Sequence, residues 1–365
     1  MIKKSIIIII NEVFLFIFKT PVYHPRFWED EKEKRRYVHS YGFFKKLRVM
    51  LSGFNSDKYE LYQLDQNNNN IYLNDIRRRI LCERISKKYY YIVHNKIVFD
   101  KYLHGIVPIV PKLGFIQKGE FRQLHASDRI TSFDDFMSEL KSGSGLFLKP
   151  NQGGSGRGIY RMEFNRDLNE IFVNKKVYTS GEVKKLIGKF NSYLIEERFI
   201  QQGFSSHLYP DTLNTIRVMT MIDPVTSRPF IAAAVHRVGS KKSVYADNWS
   251  QGGISIWIDV ETGKMGSGAQ YPFNGKLTFL NYHPETNVEF KGKTLPQWNK
   301  VKEMVLKAAE YISFMPMLGW DVIISGNDVF ILEANYNPDI NLIQVHQPLL
   351  MNDRIKSFYK HHGVI

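Results

Sequence analysis

The sequence predicts an α+β fold in three parts: residues 1–105, mainly helical and basic; 106–200, strands and helices around a glycine-rich loop; and 201–365, a mostly antiparallel sheet with helices. Three observations carry this. Residues 26–90 read as mainly helical and are rich in Lys and Arg. At 106–116 the texture changes to apolar runs broken by proline, Ile106-Val107-Pro108-Ile109-Val110-Pro111, a connecting strand or linker because proline disfavours helix around it. Beyond that point short β-rich runs, glycine turns and helical stripes alternate.

Taken in order, the chain opens with Ile6–Ile10 and Val13–Phe18, interrupted by Asn11 and Glu12. This stretch is shorter than the roughly 20 apolar residues that span a bilayer, and no small-x-small cleavage pattern follows it. It reads as a buried N-terminal element, with a surface anchor on an anionic membrane as the alternative. The segment Arg26–Arg48 interleaves Lys32, Lys34, Arg35, Arg36, Lys45 and Lys46 with Tyr37, Phe43 and Phe44, a composition suited to phospholipid headgroups or to a solvated helix face. The tract Asn67–Asn70 reads as a loop tip. Helices follow from a capping box at Ser132/Asp135 with Phe133, Phe136 and Leu140 on one face, and from a second box at Thr179/Glu182 with Val183, Leu186, Ile187 and Phe190. A third comes from the stripe Val301, Met304, Val305, Ala308 and Ile312. Strands are expected at Tyr193–Ile195, Thr215–Ile222, Ile231–Val235 and Ile254–Ile258. Trp320–Ile324 and Val329–Leu332 flank the turn Ser325-Gly326-Asn327-Asp328.

Composition excludes several classes. A hydrophobic share of 43% with 14% aromatics is too rich for disorder. One cysteine, Cys82, excludes an internal disulfide framework and a Cys-rich zinc site, and points to a reducing, cytoplasmic compartment. The net charge of +14 asks for an anionic partner. No nucleic-acid motif is present and the aromatics form no stacking platform, so nucleic acid is not expected.

Four constellations carry chemistry. Leu146-Phe147-Leu148-Lys149-Pro150 delivers a lysine from a strand into the loop Gly153-Gly154-Ser155-Gly156-Arg157-Gly158, where backbone amides can turn toward phosphate. It lacks the Gly-Lys-Ser/Thr ending of a P-loop. Leu194-Ile195-Glu196-Glu197-Arg198-Phe199 ends a strand in two acids. Asp321, Glu333 and Asn335 on the hairpin offer hard oxygen donors suited to magnesium rather than zinc. Asp321 faces Glu333 across that ladder only with an odd-length loop such as Gly326-Asn327-Asp328. Finally, Arg217 in Asn214-Thr215-Ile216-Arg217 and Arg237, ahead of Asp247-Asn248-Trp249-Ser250-Gln251-Gly252-Gly253, could neutralise a phosphoryl group or equally form structural salt bridges.

In this order the pieces resemble the ATP-grasp superfamily, and more closely the sugar-transfer-associated ATP-grasp family related to the alpha-L-glutamate ligases. The likeness rests on Asp211–Arg217, Asp247–Gly253, Gly319-Trp320-Asp321 and Glu333–Asp339, and covers roughly 90–350. It implies a fold whose two lobes, 106–200 and 201–365, clamp ATP between antiparallel sheets. It implies Lys101, in Asp100-Lys101, and Lys149 as nucleotide lysines, and Gly153, Gly154, Ser155 and Gly156 over the phosphates. Glu196, Glu197 and Phe199 would lie at adenine, and Asp321, Glu333 and Asn335 on one or two Mg²⁺ ions. Arg217 would lie on an acyl phosphate, with Arg237 and Asn248 near the acceptor.

The activity this resemblance implies is ATP-dependent carboxylate–amine ligation through an acyl phosphate, with a small-molecule or sugar carboxylate and an amine as substrates in surface-polysaccharide synthesis. A phosphotransferase of the same fold is the first alternative. A membrane-surface protein using the basic N-terminal region, peripheral at the inner face of a membrane, is the second. His236 and His346 read as core or supporting residues, since such chemistry needs no nucleophilic side chain.

Overall fold

A computed structural model describes residues 25–34, 42–64, 69–153, 158–243, 246–272 and 276–365. The apolar run Ile6–Phe18, the basic Arg35 and Arg36, Tyr37, and Gly154, Ser155 and Gly156 lie outside the described residues. Among the described residues no helix is long and apolar enough to cross a membrane. The chain folds as two units. One comprises Met1–Lys88, Gln202–Val329 and Asn335–Ile365; the other comprises Tyr89–Gln201 with Phe330–Ala334. Each contains an antiparallel sheet with helices, so the fold is α+β, as the sequence predicts.

The unit built on Tyr89–Gln201 carries seven strands: β1 (Gly114–Gln117), β2 (Glu120–Arg122), β3 (Leu146–Pro150), β4 (Tyr160–Asn165), β5 (Glu170–Val173), β6 (Lys176–Tyr178) and β7 (Tyr193–Glu197). Their spatial order is β2-β1-β7-β3-β4-β5-β6. Strand periodicity divides β3: Leu146 and Leu148 enter the core with Met162, Ile195, Phe136, Leu140, Val183 and Ile187, while Phe147 and Lys149 point to the other face. Two capped helices cover the core side. Phe133–Ser142 starts at Ser132, whose side chain accepts from Asp135 N, but the Asp135 carboxylate turns to Thr131 rather than closing the expected box. Ser180–Ile187 has the full reciprocal box of Thr179 and Glu182.

The second sheet comprises β8 (Thr215–Ile222), β9 (Pro229–Val238), β10 (Ile254–Ile258), β11 (Met265–Gln270), β12 (Thr278–Leu280), β13 (Met317–Ser325) and β14 (Asp328–Asn335), in the order β12-β11-β10-β9-β8-β13-β14. β8 is buried along nearly its whole length. The stripe Val301, Met304, Val305 and Ala308 of helix Trp298–Tyr311 is buried as that helix meets β8, β9 and β13. On the opposite face, Met219 and Met221 join a core with Phe54, Leu61, Tyr62 and Leu73 from the N-terminal region and Ile343, Ile355 and Phe358 from the C-terminus. Arg217 lies on that same face by alternation, so the face is apolar at one end of β8 and ionic at the other.

Two features differ from expectation. The hairpin does not use an odd-length loop: β13 ends at Ser325 and β14 starts at Asp328, leaving Gly326 and Asn327. Two-residue turns suit the right-handed strand twist, and Gly326 supplies the positive φ, +57°. Along β14 the alternation then slips. Val329 and Ile331 are buried, the next buried residue is Ala334, and Leu332 and Glu333 are both half-buried. That phase change leaves Glu333 and Asn335 on the less buried side of the strand. Second, part of the charge before residue 89, a region expected to be helical and basic, is interior where it is described. Lys58 is fully buried between Asp57 (2.7 Å) and Asp75 (3.4 Å), and Arg78 reaches Asp75 and Asp339. Glu31 accepts from Ser56 N at 2.8 Å, and Tyr271 donates to Asp57 at 3.1 Å.

Candidate functional site

In the unit built on Tyr89–Gln201, two lysines pair with one buried carboxylate and a third lies within its field. Glu196 lies on the face of β7 away from the core. The register pairs it with Phe147, and Lys149 follows two residues along β3 on the same face. Lys149 Nζ donates to Glu196 Oε2 at 2.5 Å and Lys112 Nζ to Oε1 at 2.9 Å. Burial pushes the Glu196 carboxyl up, but the two ammonium groups outweigh it and hold it at about 2. Lys112 was not singled out in the sequence; its signal is its place at the entry to β1, just after the proline run.

Lys96 is the third lysine. It opens the helix Lys96–Leu103, whose first turn is fixed twice: Asn95 caps Val98 N, and Asn151 accepts from Lys96 N through its carbonyl and from Ile97 N through its side chain. Lys96 Nζ donates to Gly153 O at 3.1 Å, at the start of the glycine-rich segment. Burial lowers its pKa, against the charges of Glu333 and Glu196, which raise it; Lys149 and Lys112 reinforce the lowering. Lys101, the lysine expected from the Asp100-Lys101 pair, is exposed in the last turn of the same helix, and the structure does not bring it to Glu196 and Lys149. Five residues along a helix leave the two side chains about 140° apart, so they point to different sides of it.

Glu196 and Glu197 turn to opposite sides. Glu197 is half exposed and reaches Arg129 at 3.4 Å, which also holds Glu139 at 3.1 Å. The Arg198 amide donates to Gly145 O, and its carbonyl accepts from Ser144 Oγ. Phe199 lies edge-on to Phe330, ring centroids 5.7 Å apart.

The other unit holds a second ionic group. β13 pairs with β8 so that Asp321 is directly opposite Arg217, and β9 pairs with β8 so that Arg237 is opposite Thr215. The four therefore share one face. Arg217 grips Asp321 through Nε and, at 3.0 Å, through Nη2; Arg237 Nη1 adds a third bond at 2.9 Å. Arg237 Nη2 also donates to Asp247 at 2.6 Å, and Asp247 accepts from the Thr215 amide at 3.0 Å and from the Thr215 hydroxyl. The two buried carboxyls diverge. Burial raises both, but the paired guanidiniums bring Asp321 below the usual range, whereas Asp247, with Arg237 and Thr215 against burial and the Asp321 charge, stays above it. Gly319 makes room for this arrangement: a Cβ there would sit 2.5 Å from Pro338 Cβ and 3.3 Å from Arg217 Cδ.

Asn248 is not part of this ionic group. Its side chain accepts from Ser250 Oγ and its carbonyl binds the amides of Gln251 and Gly253, so Asp247 is the residue of that loop that meets Arg237. Trp249 anchors the loop through Nε1 to Ala269 O at 2.8 Å. Asn214 is a fully buried organiser, donating to Ser205 O and Tyr209 O and accepting from Gly239 N. His236 lies on the other face of β9 as core.

Solved structures share parts of this architecture at low similarity. D-alanyl-alanine synthetase A from Vibrio cholerae is 14% identical, with 74% of this chain and 61% of that one covered and a TM-score of 0.38. The VanG D-Ala:D-Ser ligase from Enterococcus faecalis is 13% identical, with 78% and 64% covered and a TM-score of 0.39. For the ADP complex of purK, an N5-carboxyaminoimidazole ribonucleotide synthetase, the values are 11%, 73%, 52% and 0.39. The chain thus spans between half and two thirds of these three proteins. No curated protein matches it in sequence. The family described as sugar-transfer associated ATP-grasp matches residues 77–359, well over half of the chain and all the residues of both ionic groups. The chain belongs to that family and has the ATP-grasp fold.

Proposed function

We propose that the protein is an ATP-dependent carboxylate–amine ligase acting on a sugar or amino-acid substrate in surface-polysaccharide synthesis. The observation that carries this is the pairing of Lys112 and Lys149 with buried Glu196 while Lys96, in the field of Glu333 and Glu196, reaches Gly153 O at the start of the glycine-rich segment: three cations against two carboxylates, a surplus suited to the phosphates of ATP. With both backbone groups of Arg198 engaged, adenine would be read by the Glu197 carbonyl and the Phe199 amide. Gly153 and the segment after it would cover the phosphates.

Asp321, Glu333 and Asn335 would hold one or two Mg²⁺ ions. They fit such an ion chemically: all three donors are hard oxygens, and Asp321 is kept ionised by its guanidiniums, with Oδ1 accepting one hydrogen bond and retaining a second lone pair. Bound there, Mg²⁺ would neutralise phosphate charge. The substrate carboxylate oxygen attacks the γ-phosphorus and ADP leaves. The amine nitrogen then attacks the acyl carbon, phosphate leaves, and the amine sheds a proton. Arg217 and Arg237 would stabilise the acyl phosphate, with Asp247 orienting Arg237. Asn248 is proposed only as a neighbour of the acceptor.

ADP release that requires a carboxylate and an amine together tests this reading. Glu333→Gln, which keeps shape and removes charge, is expected to abolish that release while moving the urea midpoint little; near-normal turnover would contradict the metal assignment. A stable phosphorylated product without an amide would establish the phosphotransferase alternative instead.

A peripheral membrane contact is a second reading, favoured by the helix Phe43–Leu51. There Phe44 is 83% exposed and Leu47 41%, alongside exposed Lys45 and Arg48. Flotation of the full chain on anionic but not zwitterionic vesicles is the expected result, and equal absence from both removes the reading.

A further inference from the structure

Outside both ionic groups, Asp100, His104 and His125 converge in the unit built on Tyr89–Gln201, with their ligating atoms all within 4.8 Å of one another. We propose that they form a binding site for a divalent ion of the zinc class, separate from the carboxylate set at Asp321, Glu333 and Asn335. Asp100 and His104 stand four residues apart at the end of helix Lys96–Leu103 and so share a face; the His104 amide still donates to Asp100 O at 2.9 Å. Asp100 is 2% exposed, a carboxylate taken out of water, and its Oδ1 meets His125 Nε2. His125 is held from behind, since Asp128 accepts from the amides of Leu124 and His125 and returns its own amide to His125 O. The His104 ring stacks on His125, centroids 3.8 Å apart and planes 13° from parallel.

Two imidazoles and one carboxylate are the donors of zinc and its neighbours rather than of magnesium, which prefers oxygen throughout. Ligand atoms about 2.0–2.1 Å from a tetrahedral ion lie roughly 3.3 Å from one another, so the cluster must tighten. His104 can supply that movement, being exposed and at the helix end; its ring swings out of the stack so that the ion lies in the planes of both imidazoles, with water in the fourth position. The ion would tie the end of this helix to the turn after β2. Lys96 stands at the other end of the same helix, about 11 Å along its axis, so the clip would steady the element that carries a nucleotide-facing lysine.

The test is a zinc titration of the metal-stripped full chain by calorimetry, with millimolar Mg²⁺ present to occupy the oxygen-only donors. Cobalt is used in parallel to read geometry from visible absorption. One equivalent of Zn²⁺ is expected, with intense tetrahedral Co²⁺ bands. His104→Ala and His125→Ala should each weaken zinc at least tenfold, with far-UV circular dichroism unchanged without metal. Glu333→Gln should bind zinc as the unaltered chain does. The proposal is overturned if less than 0.2 equivalent binds, as it would be were the trio a hydrogen-bonded stack only. It is also overturned if neither histidine variant changes affinity, or if Glu333→Gln removes the binding. None of these readouts depends on turnover, so the zinc site and the ligase reading stand or fall separately.

Discussion

Lys96 and Lys101 sit on one helix, and their surroundings assign them opposite roles. Lys96 is half-buried, bonded to Gly153 O and within the field of Glu196 and Glu333, whereas Lys101 is exposed. Charge-assisted hydrogen bonds are worth about 1.5–3 kcal/mol. Lys96→Met is therefore expected to weaken ATP binding by roughly ten- to a hundredfold, and Lys101→Ala to leave it within twofold, read by nucleotide titration. The opposite pattern would restore the lysine that the Asp100-Lys101 pair suggests. His236 makes a different prediction. It is fully buried with neither ring nitrogen bonded, and burial lowers its pKa to about 3. The folded chain thus resists protonation that the unfolded chain accepts near 6.5. Stability is complete above that value and falls as pH drops toward 3, by at most about 1.4 kcal/mol per unit for this group. His236→Leu should raise the urea midpoint and flatten its pH dependence between 6.5 and 4. A lower midpoint with an unchanged slope would show that the imidazole has partners in solution.

At the scale of elements, β13 shows why a short motif carries so much. Trp320 turns to the core, where its Nε1 donates to Thr220 Oγ1 at 2.8 Å, and the register then sets Asp321 against Arg217. Gly319 admits Pro338 and the Arg217 stem. Gly319→Ala should overpack this point, costing about 1–3 kcal/mol, and should lower turnover because Arg217 is displaced. A urea midpoint and an ADP-release rate both at the unaltered values would refute that account. The motif order Gly-Trp-Asp was legible because each residue type has one physical use there. The burial phase of β14 was not legible, because which of its residues are covered depends on tertiary packing rather than on turn residues.

At the scale of the molecule, the basic N-terminal region turns out to carry structural charge. Asp57, Lys58, Asp75 and Arg78 are buried, and Arg78 reaches Asp339 at the end of the Glu333–Asp339 motif. Removing one member of a buried ion network leaves the others unpaired, at a cost of about 3–5 kcal/mol. Asp75→Ala is expected to lower stability by that amount in urea unfolding. A loss below 1 kcal/mol would mean that water enters the network. The buried network is balanced, Lys58 and Arg78 against Asp57 and Asp75, so the +14 excess lies elsewhere, part of it on the lysines near Glu196 and part on the surface helix Phe43–Leu51.

Local rules let the sequence determine the α+β class, the strands at Thr215–Ile222 and Ile254–Ile258, the two helix starts at Ser132 and Thr179, and the strand positions of Lys149, Glu196, Arg217 and Asp321. Alternation, capping and the chemistry of anion binding act over a few residues and can be read along the chain. Tertiary structure decided which lysine joins Lys149, that Asp247 rather than Asn248 meets Arg237, and that Lys58 and Arg78 are interior. It also decided that two histidines and an aspartate meet between a helix end and a distant turn. Each of these depends on which residues far apart in sequence share one face, and that is fixed by register and packing, which no local window contains.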